Sequence, residues 1–274
     1  MKSLPYIVFI LFIAGAGAYY YLQLDKAREQ EIQTVETEPL QIPEDITPEI
    51  QHPVPKPQAS TDDPDEEIPA ESEMKEPLPP LLESDSRILE ILSGIFGNDL
   101  VNQIFQQAGM IHLFVLTVDS LPGKTVPIKY RLLPPTPGKF LVHKDPNDKT
   151  TVDPENFARY DTYMKLLDKV DTEQFVKWYT HFYPLIQDDY DSLGYKNRYF
   201  NDRFIFVIDH LLETPEVSGP IELVQPNVFY NFADPALQEL SAGQKILLRI
   251  GPVNRKIVKD KLIEVRKMLA SPQQ

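Results

Sequence analysis

The side chains able to do chemistry in this chain are few and scattered. Its five histidines, at positions 52, 112, 143, 181 and 210, never fall three or four apart, the spacing that aims two imidazoles at one metal. There is no cysteine, which removes thiolate catalysis, disulfides, cysteine-ligated metals and an acylated-cysteine anchor. No Gly-rich phosphate loop, G-x-S-x-G or H-E-x-x-H occurs. Asp209-His210 has the makings of an acid–base pair, but neighbours on a helix point about 100° apart and do not face each other. His210 therefore reads as a helix-edge or partly buried histidine. Asp119, Asp202 and Asp209 could supply paired carboxylates, yet no spacing shows that they converge, and capping or ion pairing is the commoner role. Arg159, one residue before Tyr160 on an otherwise apolar helix, could receive a ligand carboxylate or pair with one of the protein's own. Arg159, Asp209 and His210 are thus the binding candidates. No catalytic residue, metal ligand or cofactor is assigned.

Two further patterns invite a functional reading. Trp178, Tyr179, Phe182, Tyr183, Tyr190, Tyr195, Tyr199 and Phe200 could line a glycan-stacking or peptide-binding groove, but their helical spacing is explained more simply by core packing. Gly243-Gln244-Lys245 looks like a fragment of a nucleotide loop, without the preceding strand and glycines that such a loop needs.

The elements that must position these residues are mostly helices. Ser84 or Asp85 caps a helix whose stripe is Ile88, Leu89, Ile91, Leu92, Ile95 and Phe96, ending at Gly97; Asn98 caps a second that stops at Gly109. Met110–Leu121 fits a buried helix better than a strand. Residues 123–154 are loop-like and proline-rich, with a short strand at Lys139–His143. Asp153-Pro154 opens a helix with face Phe157, Tyr160, Met164 and Leu167, and Asp171 with Gln174 resembles a capping box. The helix that follows meets Pro184, which kinks or restarts it, and stops at Gly194. Asn197 or Asn201 begins a helix so apolar, through Phe204, Ile205, Val207, Ile208, Leu211 and Leu212, that it must be central. Glu222–Phe232 is the extended stretch. Asp234-Pro235 opens one more helix that runs or restarts toward Leu248, and Val253–Leu269 closes the chain. The fold class is mainly α: one compact multi-helix domain with little β structure.

Ahead of that domain stand two segments of another kind. Pro5–Leu24 is an uncharged run of 20 residues, about 30 Å of helix, which matches the hydrocarbon core of a bilayer. Lys2, Tyr6–Ile13 and Ala16-Gly17-Ala18 also fit a cleaved signal peptide, but the apolar run continues through Tyr19–Leu24, which favours an anchor. Either way the remainder is exported. Residues 25–83 form an arm with eleven prolines between Pro39 and Pro80 and the charge run Asp62-Asp63-Pro64-Asp65-Glu66-Glu67, a composition for a disordered spacer. Of the formal charge of −14, residues 1–28 contribute +2 and residues 29–83 contribute −14, so residues 84–274 carry −2. The domain has no basic field to recommend nucleic acid.

Several phrases of the domain, taken in order, resemble the bacterial envelope proteins of domain-of-unknown-function family 3014. They are Val118-Asp119-Ser120-Leu121, Asn156-Phe157-Ala158-Arg159-Tyr160, Tyr183-Pro184-Leu185 and Leu193-Gly194-Tyr195. Phe200-Asn201-Asp202-Arg203, Ile208-Asp209-His210-Leu211-Leu212 with Thr214-Pro215, and Gly243-Gln244-Lys245 with Arg249 and Gly251 complete the set. The resemblance spans about Ser84 to Leu269. It implies an N-terminal membrane anchor, a variable linker and this one domain, and it carries over no catalytic role.

The expectation is therefore threefold in layout: a transmembrane anchor at 5–24, an acidic Pro-rich disordered linker at 25–83, and a single mainly α domain at 84–274. The protein is expected in the inner (cytoplasmic) membrane, single-pass, with its C-terminal domain in the periplasm. There it would act as a binding or scaffolding module for an envelope protein or cell-wall component. The alternative is an envelope enzyme acting on glycan or peptide through carboxylates. A convergent carboxylate pair in an open cleft would favour the enzyme, and a dry apolar patch without titratable groups would favour the module.

Overall fold

The computed structural model describes residues 50–55, 78–133, 136, 138–195 and 197–270. The apolar run 5–24 and most of the arm lie outside the described residues. Among those described, no helix is long and apolar enough to cross a membrane.

The domain is mainly helical with one small sheet. After a 3-10 turn at Leu81–Glu83 come α1 (Ser84–Phe96), α2 (Asn98–Ile104) and α3 (Met110–Ser120). A loop leads to strands β1 (Val142–Lys144) and β2 (Thr150–Val152), then α4 (Glu155–Ala158), α5 (Asp161–Lys169), α6 (Thr172–Ser192) and α7 (Phe200–Leu212). Strands β3 (Glu222–Val224) and β4 (Asn231–Phe232) precede α8 (Pro235–Gln238), α9 (Ala242–Arg249) and α10 (Pro252–Leu269).

The main core forms where α3, α6, α7, α9 and α10 meet. As its composition demands, α7 lies at the centre: Phe200, Ile205, Val207 and Ile208 are buried almost completely. α6 runs unbroken through Pro184. A proline inside a helix costs about 3 kcal/mol, and here the burial of Phe182, Tyr183, Leu185 and Ile186 around it holds the helix together.

Local chemistry differs from expectation at several helix ends. α2 stops at Ile104, because Phe105 turns extended, rather than continuing to Gly109. Asp85 does not cap its own helix; its carboxylate accepts from Gly109 N at 2.7 Å and Met110 N at 2.8 Å, covering orphan donors at the start of α3. Asp171 accepts from Gln174 N at 2.9 Å, but the reciprocal capping box forms elsewhere, between Ser241 and Gln244. That box also accounts for Gly243-Gln244-Lys245. Gln244 is its third helical residue, and a Cβ on Gly243 would lie 2.6 Å from Leu211 Cδ2. Gly251 is required twice over, by a φ of 88° and by Phe157, whose Cγ would sit 2.5 Å from an added Cβ.

The sheet is antiparallel in the order β1-β2-β3-β4, with Val142 opposite Val152 and Leu223 opposite Phe232. Its inner face, Val152, Leu223 and Phe232, packs on Leu248 of α9 as a separate small core. β1 falls near the expected strand, whereas β2 has no counterpart in the sequence reading.

Candidate functional site

α1, α3 and α6 come together without filling the space between them. The i, i+3, i+4 stripe Ile88, Ile91 and Leu92 forms one wall, Met110, Ile111 and Phe114 of α3 a second, and Trp178 and Phe182 of α6 a third. They line a cavity of about 190 Å³ that is open to the surface. A void of about 150 Å³ lined by aliphatic and aromatic side chains is enough to stay dry and admit a benzene-sized guest, so this one has the right scale and lining. Tyr179 is its one ionisable lining group, and the Tyr179 hydroxyl is engaged, donating to Asn201 Oδ1 at 3.0 Å. Burial first, then neighbouring Tyr183 and Tyr199, pushes the Tyr179 phenol well above its ordinary range, so it stays neutral.

One polar atom at the cavity is out of place. The indole Nε1 of Trp178 is buried and, among the described residues, has no acceptor; Gln174 Nε2, one turn earlier on α6, is in the same state. A buried donor left unmade costs about 1–3 kcal/mol, so such atoms call for a cause. The Trp178 ring lines the cavity, and its Nε1 is covered at the cavity's edge.

The candidates named from sequence fall elsewhere, and apart from one another. Arg159 donates to Asn156 Oδ1 at 3.1 Å and Gly138 O at 3.0 Å, which ties the preceding loop onto α4. Asp209 forms a two-pronged pair with Arg266 of α10. His210 turns from Asp209, stacks on Phe206 at 6.2 Å, and lines a second pocket of about 440 Å³ with Lys124, Glu239 and Gln244. That pocket's charges satisfy each other, Lys124 Nζ lying 2.7 Å from Glu239 Oε2, while His210 Nε2 is buried without a partner among the described residues.

The three aspartates do not assemble as a carboxylate pair. Asp119 accepts from Arg203 Nε at 2.8 Å and Tyr195 Oη at 3.0 Å, Asp202 is engaged by His52 of the arm, and Asp209 by Arg266. Among the described residues no cluster of His, Cys, Asp or Glu could hold a metal ion. The aromatic series is mainly core, as its spacing indicated: Tyr179, Phe182, Tyr183, Tyr190 and Phe200 are all buried. Trp178 is only partly buried and lines the cavity. Sequence reasoning identified the stripes that wall the cavity, but nothing in a stripe reports whether facing side chains close the gap.

The domain is mainly α, with an apolar cavity between α1, α3 and α6 and with Asp119, Asp202 and Asp209 each held by a partner of its own. A family model described as "Protein of unknown function (DUF3014)" matches residues 110–266, more than half of the chain, and the chain belongs to that family. No curated protein and no solved structure matches it.

Proposed function

We propose that the protein is a single-pass inner-membrane protein whose domain works outside the cytoplasm as a binding or scaffolding module. Its ligand would be an apolar group carrying one oxygen acceptor, presented by an envelope protein or cell-wall component. The observation that carries this is the cavity of about 190 Å³ beside Trp178, apolar in its lining and bordered by an indole N–H that has no acceptor among the described residues. Burial of apolar surface would supply the affinity, and the indole N–H would fix orientation. The enzymatic alternative draws no support from Asp119, Asp202 or Asp209, each of which has its own partner.

Trp178 is the chain's one tryptophan, so its emission reports this cavity alone. With the full chain in nanodiscs, 1-hexanol should change that emission saturably, and Ile88→Phe, which fills the cavity from α1, should abolish the change. A linear, non-saturating response, or an equal response in Ile88→Phe, would contradict the proposal. The address is tested separately by protease on spheroplasts. The C-terminal domain should be digested, and full protection would reverse the orientation.

A further inference from the structure

The arm contributes more than length. Residues 50–55 lie within the stretch whose composition reads as plain spacer, yet they are seated at the first turn of α7. Asp202 receives two successive main-chain N–H groups, from Gln51 at 3.1 Å and from His52 at 2.6 Å, and meets His52 Nδ1 at 3.1 Å. Asn201 Nδ2 donates to the carbonyl of His52 at 2.9 Å, and the Val54 N–H donates to the Tyr199 hydroxyl at 3.3 Å. Val54 also packs against the main core.

The receiving groups are held ready. Asn201 is fully buried; its Oδ1 accepts from Tyr179 Oη at 3.0 Å and its N–H donates to Tyr183 Oη at 3.2 Å. With Oδ1 occupied from inside, the amide can only present Nδ2 outward. Four main-chain groups of three residues are matched, and the residue between them, Pro53, is the one with no N–H to match. Main-chain pairing of this kind recognises a backbone shape, here bent at Gln51 and His52, and flanking prolines lower the entropy lost on docking.

We propose that the Tyr199–Asp202 turn is a docking site for a proline-flanked peptide segment, and that Ile50–Pro55 is its resident occupant, a clasp that releases and re-engages. If the run at 5–24 is the anchor, as the functional proposal has it, the clasp also sets reach. Engaged, it leaves 25 residues between anchor and domain; released, it leaves 59. As flexible chains these span about 30 Å and about 45 Å.

Amide hydrogen exchange on the full chain tests this. Gln51, His52 and Val54 should be protected. Gln51→Pro, which alters only the arm by deleting one donor, and Asp202→Ala should each speed exchange at His52 by roughly tenfold or more, since hydrogen bonds to a carboxylate are the stronger kind. Protection within α7 should persist in both. A synthetic peptide of residues 48–57 added to the Gln51→Pro chain should bind saturably and shift the Asn201 and Asp202 amides. Exchange of residues 51, 52 and 54 at the free-peptide rate in the unmodified chain would overturn the clasp. So would indifference to both substitutions. Failure of the peptide to bind in trans would reduce the turn to a fixed strap and overturn the docking site. None of these outcomes depends on the Trp178 cavity, whose readout is separate.

Discussion

The cavity under α1 and the turn at the head of α7 are built on opposite principles. The cavity is walled by branched aliphatic and aromatic groups, and beside it lies one buried polar atom without an acceptor among the described residues, Trp178 Nε1. The turn meets a segment of its own chain through polar groups, Tyr199 Oη, Asn201 Nδ2 and the Asp202 carboxylate, by main-chain contacts. The first would select by volume and dryness, the second by backbone geometry. They are joined through one residue: the Tyr179 ring lines the cavity and its hydroxyl fixes Asn201 beneath the turn.

Damage to the shared support should abolish both together. Ile208 is fully buried on α7, and Ile208→Ala should destabilise the domain by about 2–5 kcal/mol in a denaturant titration. A neutral result would mean that α7 is not the centre of the core that supports both.

Alkali should act next, from the turn's side. Burial is the largest cause that raises the phenols of Tyr179, Tyr183 and Tyr190, the last to about 12. The folded protein therefore keeps protons that the unfolded chain releases above pH ~10. Their contribution to stability is complete below that pH and is lost as pH climbs through the folded values. Urea midpoints measured from pH 8 to 11.5 should be level and then fall above pH ~10. A level profile throughout would place these phenols in water.

Tyr179→Phe separates the two regions. It keeps the ring in the cavity wall and removes the donor to Asn201, at a cost of about 1–2 kcal/mol. Arm protection should weaken while hexanol binding at Trp178 is unchanged; equal losses at both would show that the regions are one site.

The smallest effect belongs to a residue outside both. His210→Ala should shift stability by less than about 1 kcal/mol and leave both binding readouts alone, because the ring is only partly buried and its Nε2 has no partner among the described residues to lose.

Much of the helical frame was legible. The apolar period of α1 and α7, the proline at the head of α8 and the Gly251 stop all signal themselves within a few residues. What escaped depends on atoms distant in sequence. Asp85 caps a helix 24 residues away, β2 is three residues long and exists through its neighbours, and Asp202 reaches His52 across 150 residues. The cavity escaped for another reason. Ile88, Ile91, Phe114 and Trp178 announce a buried face equally well whether the faces meet or leave a gap, so periodicity carries no volume. Arg159 drew notice as a charge in an apolar helix and Asp209 as the neighbour of His210, and both proved to be tethers between elements.

The most direct test is the indole resonance of Trp178, which is single because the chain holds one tryptophan. In a 15N-labelled full-length sample the indole N–H should start unbonded and move downfield to saturation as 1-hexanol is added, while in Ile88→Phe it stays fixed. An indole signal already at a hydrogen-bonded shift in the free protein, and unmoved by the alcohol, would contradict a ligand cavity at Trp178.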